Sequence, residues 1–228
     1  MKDVLLLDGH CHLASTRYIP ESFLSGAAAN MAARAKAYGN KTANQGMLTD
    51  VLVRQHQDHT GDVLVREMDA AGIARTVLLY PDFGLALDGC PEPEVAIEEH
   101  LAVCERHAGR FELFAGVDPR RERAFERFER FVGAPHLKGL KLYPACGYSA
   151  SDAALDPFYE LCGARGMPVL FHSGPTTPAL FYEFTAPFDV DRAAKRFPRV
   201  NFIIGHGGVH DTEQASLLCA HRPNVFLD

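Results

Sequence analysis

Four apolar runs in this sequence end on a histidine or a lysine, and their order limits what the chain can fold into. VLLLDGHCHL leads into His10 and His12, GLKLYP carries Lys141, MPVLFHSG ends on His172 and VNFIIGHGG ends on His206. Runs that are apolar on both faces are strands of a parallel sheet covered by helices. With three further runs they give seven expected strands, at 4–8, 75–80, 112–117, 139–143, 168–172, 200–205 and 224–228. Helix-period segments alternate with them at 61–71, 94–107, 121–132, 157–165, 189–197 and 211–221. Strand–helix alternation is an α/β pattern. Lys141 and His172 lie 31 residues apart, and His172 and His206 lie 34 apart. A (β/α)8 barrel of about 250 residues has units of roughly that length and gathers its chemistry at the strand C-termini. The fold expected is therefore a distorted TIM barrel.

The chain has 228 residues, of which 47% are hydrophobic and 23% charged. That length and composition suit one globular domain with a sizeable core, and residues 1–228 are taken as one barrel domain. A net charge of −6 gives no electrostatic footprint for nucleic acid. No apolar stretch approaches the roughly 20 residues of a membrane span. The opening MKDVLLLDGH is too short in its apolar part for a signal peptide and reads as the first strand. The six cysteines, Cys11, Cys90, Cys104, Cys146, Cys162 and Cys219, form no CxxC pair. Free thiols in the cytoplasm are expected. Residues 14–60 interrupt the alternation, with a helix-like 27–37 and a loop-like 39–46, and are expected to be a substrate lid. Seven strands are found where a barrel has eight, so the reading is of a barrel truncated after strand 7, either a fragment or left open.

His10 and His12 at the end of an extended strand share one face, about 6.5–7 Å apart at ~3.3 Å per residue. One cation can take both, and neutral imidazole suits zinc, manganese or iron. Asp8 is placed to support them. A histidine at the end of an apolar run, as at His172 and His206, is costly to bury without a partner, and three such ends in one chain argue against coincidence. Gly205, Gly207 and Gly208 would let backbone approach a ligand closely. Lys141 reads as a snorkelling side chain, a substrate-carboxylate anchor, a proton-transfer group of lowered pKa or a carboxylated ligand. His56 and His59 have helical spacing in a charged stretch and read as solvated or as part of the lid. His210 is a candidate for the pocket rim. His100, His107, His136 and His221 read as surface, Cys11, Tyr143 and Phe171 as core filling.

Taken in order, DGHCHL, GLKLYP, PVLFHSG, NFIIGHGG and NVFLD resemble the amidohydrolase superfamily, in its amidohydrolase-related branch of metal-dependent hydrolases and decarboxylases. The resemblance spans nearly the whole chain. It implies a divalent metal, most often zinc with manganese as the alternative and one ion per chain. It also implies His10, His12 and His172 as ligands, with His206 activating water or moving a proton. The matching strand places Lys141 where two-metal relatives have a carboxylated bridge. The family's strand-8 aspartate has no counterpart, and Asp228, which ends strand 7, is not given that role. The leading expectation is a hydrolase of a small amide, lactone or ester-like substrate. A non-oxidative decarboxylase of an aromatic or unsaturated acid comes second, and a non-catalytic truncated barrel third. Lys141 or Arg17 facing the pocket would favour an anionic substrate. The expected partner is a small molecule, with carboxylate-bearing compounds among the candidates, and a homo-oligomer is the alternative to a monomer.

Overall fold

The computed structural model describes residues 5–209 and 211–228, so Val4 and His210 lie outside the described residues. Seven strands follow one another in chain order: β1 Leu6–Cys11, β2 Ile73–Tyr80, β3 Phe111–Ala115, β4 Leu137–Leu142, β5 Val169–Phe171, β6 Phe202–Ile204 and β7 Val225–Leu227. They form one sheet in the order β1-β2-β3-β4-β5-β6-β7, with every neighbouring pair parallel. A doubly wound sheet reverses direction at a switch point. This sheet does not, and unbroken sequential winding is that of a TIM-type barrel.

The helices are α1 Glu21–Ala37, α2 Gln45–Gln55, α3 Asp62–Ala71, α4 Pro93–Arg106, α5 Ala124–Glu129, α6 Asp156–Arg165, α7 Phe188–Arg196 and α8 Thr212–His221. The stretch 14–60 holds two of them, α1 and α2, where the sequence suggested one. The segment expected to be helical over 121–132 is helical only over α5; its late start follows from Arg123, just before it, which adopts a left-handed backbone (φ 53°). No helix among the described residues is long and apolar enough to cross a membrane.

Strand alternation divides the core into two layers. Leu78, Leu113, Leu140, Leu142, Val169, Phe171, Phe202 and Ile204 belong to the large cluster between sheet and helices. The opposite, inner face carries Leu79, Phe114 and Leu170, flanked by Val77 and Ile203. Lys141 lies between Leu140 and Leu142 and pairs in register with Leu170. Alternation therefore puts the lysine on the inner face, beneath the strand ends that carry the histidines.

Candidate active site

The parallel winding brings the strand C-termini to one rim. His10 lies within β1, His12 one residue past it, His172 one residue past β5 and His206 two residues past β6. Their rings form a contiguous group. Centroid distances are 5.5 Å for His10–His12, 4.5 Å for His10–His206 and 4.9 Å for His172–His206. His206 Nε2 is 3.1 Å from His172 Nδ1. Asp8 Oδ1 accepts the backbone N–H of His10 at 3.0 Å, beside a register irregularity between Asp8 and Cys11.

His206 stands in the turn that follows β6 with φ 60° and ψ 22°. This left-handed conformation costs a non-glycine residue about 1–2 kcal/mol. Its backbone N–H donates to Asp228 Oδ1 at 2.6 Å, and a hydrogen bond to a charged acceptor, worth about 1.5–3 kcal/mol, offsets that cost. The other carboxylate oxygen of Asp228 bonds His10 Nδ1. One carboxylate thus ties the end of β1 to the end of β6. Gly205 is required at this junction, because a Cβ there would lie 2.5 Å from the Phe171 carbonyl oxygen and 3.4 Å from the His10 ring.

Electrostatically the group is poor in protons. Burial, and then the charge of Lys141, hold His12 and His172 well below the usual imidazole range. Burial, followed by His10 and Lys141, lowers His206 as well. Lys141 has no exposed surface, and burial, opposed by Asp228, brings its pKa down to about 7. Partial burial would raise the Asp228 carboxyl, but bonds from His10 and the His206 N–H hold it below the usual carboxylate range.

Above the histidines lies a cavity of about 510 Å³, lined in part by His12, His172, His206 and an aromatic wall of Phe23, Phe83 and Tyr143. Tyr143 stacks flat on His172, with centroids 4.0 Å apart and planes 10° apart. Phe83 packs edge-on against Tyr143 and leans on Phe23. Helix α1 forms one side through Ile19, just before it, and Phe23, Ala27 and Asn30. Asn30 Nδ2 donates to the Thr176 carbonyl at 2.9 Å, and Tyr143 Oη pairs with Thr176 Oγ1 at 2.9 Å. His56 lines the cavity and follows the end of α2, whereas His59 bonds Ser15 Oγ at 2.7 Å beside a separate surface depression. Arg17 borders that second depression, and neither it nor Lys141 lines the cavity.

Tyr143 is buried in the core, as read, and also forms a wall of the cavity. One sequence reading is corrected here. His100, read as surface, is 1% exposed and packs between Tyr18 and Tyr80, with Nδ1 2.7 Å from the Ala96 carbonyl. Phe23, Phe83 and Asn30 carry no signal in the sequence, since nothing in their local pattern marks a pocket.

The amidohydrolase family model matches residues 7–228. The chain belongs to the amidohydrolase family. No curated protein matches it significantly. Solved structures of the same fold include 5-carboxyvanillate decarboxylase from Novosphingobium aromaticivorans, complexed with manganese and 4-hydroxy-3-methoxy-5-nitrobenzoic acid. It shares 16% identity at a TM-score of 0.67, over 96% of this chain and 70% of that one. A dihydroxybenzoic acid decarboxylase from a Polaromonas species, with bound manganese and 2-nitroresorcinol, shares 17% at 0.65, over 98% and 77%. The 4-oxalomesaconate hydratase of Rhodopseudomonas palustris shares 17% at 0.57, over 98% and 73%.

For this amidohydrolase, metal binding can be tested against its own donors. His10 Nε2 and His172 Nε2 are buried without a hydrogen-bond partner, as is Lys141 Nζ. Unpartnered imidazole nitrogens are costly unless something takes their electron pairs. The His10 ring is held from behind by a carboxylate, the support usual for a ligating histidine. The donors are therefore of the right kind for a divalent cation. Among the described residues, however, no three His, Cys, Asp or Glu side chains are gathered as an ion would require.

Proposed function

We propose that this amidohydrolase is a divalent-metal-dependent enzyme that removes carbon dioxide, without oxidation, from a small aromatic carboxylic acid. One observation carries the reading: the cavity over the histidines is a slot walled by Phe23, Phe83 and Tyr143. Its volume suits a small ligand, and flat aromatic walls favour a planar ring. Two similarly folded proteins are decarboxylases solved with manganese and nitro-substituted aromatic compounds, which supports the same class here.

In this reading His10, His12 and His172 would hold one zinc or manganese ion, their rings turning inward to meet it. When bound, the ion supplies Lewis-acid stabilisation of negative charge on substrate oxygens. The remaining work falls to the chain. Phe23, Phe83 and Tyr143 hold the ring flat above the histidines. Residues 14–60 serve as a lid that excludes water through α1. Lys141 adds a positive charge beneath the site without reaching the cavity. His206, whose lowered pKa leaves imidazolium the minor form, takes up a proton from water and hands it to the ring carbon bearing the carboxylate. The bond to the carboxylate carbon then breaks, its electron pair returns to the ring, and carbon dioxide leaves.

A second reading is hydrolysis of a small amide, lactone or ester. One observation favours it: burial lowers the pKa of His206 and His172, which favours the neutral imidazole that a base taking a proton from water needs.

The test is elemental analysis of purified protein, followed by assays with manganese or zinc added. Carbon dioxide release from 5-carboxyvanillate or 2,6-dihydroxybenzoate, without ¹⁸O uptake from labelled water into the aromatic product, is the expected result. Lactone or amide cleavage with ¹⁸O incorporation would replace decarboxylation by hydrolysis. A protein that retains neither metal and turns over neither panel would sink both readings and leave a non-catalytic barrel.

A further inference from the structure

Asp228 has no part in the chemistry proposed above, yet its carboxylate makes two bonds at the site. Oδ2 bonds His10 Nδ1, and Oδ1 accepts the His206 backbone N–H at 2.6 Å. The two side chains are 16% and 17% exposed, so the pair is largely shielded from water. An ionised carboxylate can only accept. A neutral His10 must then carry its proton on Nδ1, which leaves the lone pair on Nε2. That nitrogen is the one buried without a partner. The second bond pins the turn in which His206 adopts its left-handed backbone, and with it the distance from His206 Nε2 to His172.

We propose that Asp228 is a positioning residue that fixes His10 in the Nδ1–H tautomer, with Nε2 free to bind a cation, and locks the His206 turn to the end of β1. The consequence for metal affinity rests on reading His10 as a ligand. The tautomer does not, since it is a property of the metal-free protein.

The experiment is long-range ¹H–¹⁵N correlation of the histidine rings in full-length, chelator-treated protein at pH 8, above the ordinary imidazole pKa of about 6.5. Wild type is expected to show His10 protonated on Nδ1 and bare on Nε2. Asp228→Ala is expected to average the two His10 nitrogens towards a mixture. Asp228→Asn has a single oxygen acceptor; with that oxygen on the His206 N–H, its NH2 donates to His10 Nδ1 and is expected to move the ring proton to Nε2. A wild-type His10 that is protonated on Nε2 or mixed would overturn the assignment, as would an unchanged tautomer in a folded Asp228→Ala. If that variant does not fold, the wild-type and Asp228→Asn spectra decide alone. Calorimetric titration with manganese chloride is expected to show affinity about 10–100-fold weaker in Asp228→Ala, the usual cost of removing a ligand's supporting partner. A wild type with the expected tautomer that binds neither manganese nor zinc would leave this inference standing and remove the metal reading.

Discussion

Lys141 is the residue whose environment departs most from its chemistry. A lysine with no exposed surface and no partner for Nζ has its charged form disfavoured by burial, opposed only by Asp228. Its pKa falls from 10.5 to about 7. Between those values the unfolded chain binds a proton that the folded chain does not, so stability rises with pH across that window, by up to about 1.4 kcal/mol per unit. In metal-free protein the urea midpoint is expected to climb from pH 7 to 9, and Lys141→Met to raise stability at pH 7 and flatten the climb. Parallel pH curves for the two proteins would show that the lysine pays no such penalty. At this scale the sequence was informative wherever a polar group interrupts an apolar run. That His12, His172 and His206 would meet at one rim, and that Lys141 would lie in the strand between them, was legible because each sits at or beside the end of an apolar run. His100 was legible too, though misread: 96, 97, 100, 103 and 104 follow the period of a buried helix face, and these residues of α4 are all buried. The pair of hydrogen bonds made by Asp228 was not legible, because the one to His10 joins residues 218 apart and depends on the closeness of the β1 and β7 ends.

Among the elements, α1 turns an open rim into a cavity. It meets the loop after β5 at Gly26, where a Cβ would lie 2.7 Å from Thr177 Cβ, and at Asn30, which bonds the Thr176 carbonyl. Thr177 Oγ1 is buried there without a partner. This seat has close packing but a single side-chain hydrogen bond to the loop. Gly26→Val is expected to lift α1 from the loop. Amide exchange should speed up along α1 while the amides of β4 to β6 keep their protection, since a lid opens at less cost than the sheet. Unchanged protection in α1 would mean that the neighbouring helix α2, not the Thr177 seat, holds the lid. The strands were readable to within a few residues because each combines an apolar run with a fixed spacing. Helix α2 was not, because QGMLTDVLVRQ carries a glycine, a threonine and two valines, which lower intrinsic helix preference. What starts it is local capping, with the Asn44 side chain accepting the Met47 N–H. Its packing is tertiary, laid along α1.

At the scale of the whole molecule, the sheet of the described residues has two unpaired edges, β1 and β7. Both are apolar. Leu5, Leu6 and Leu7 are 68%, 48% and 64% exposed, and Phe226 and Leu227 are 46% and 37% exposed. Phe226 pairs in register with Ile203, so it continues the inner-face row with no neighbour beyond it. Unpaired apolar strands of this kind are templates for association. Fully burying one such side chain is worth about 1.5–3 kcal/mol, and five that are already half-buried would give roughly half of that sum. Association itself costs about 4–15 kcal/mol in lost freedom. The two totals are comparable, so self-association should be weak and dependent on concentration rather than obligate. Sedimentation velocity across a concentration series is expected to show a reversible shift to larger species. Leu7→Lys combined with Phe226→Lys, which places a charge on each edge, should hold the chain monomeric at the same concentrations. A wild type that sediments as a monomer throughout would show that the sheet edges are protected by their own twist and neighbours. A double variant that still associates would move the contact elsewhere, with the exposed aromatic cluster Phe181, Tyr182 and Phe188 the next surface to charge.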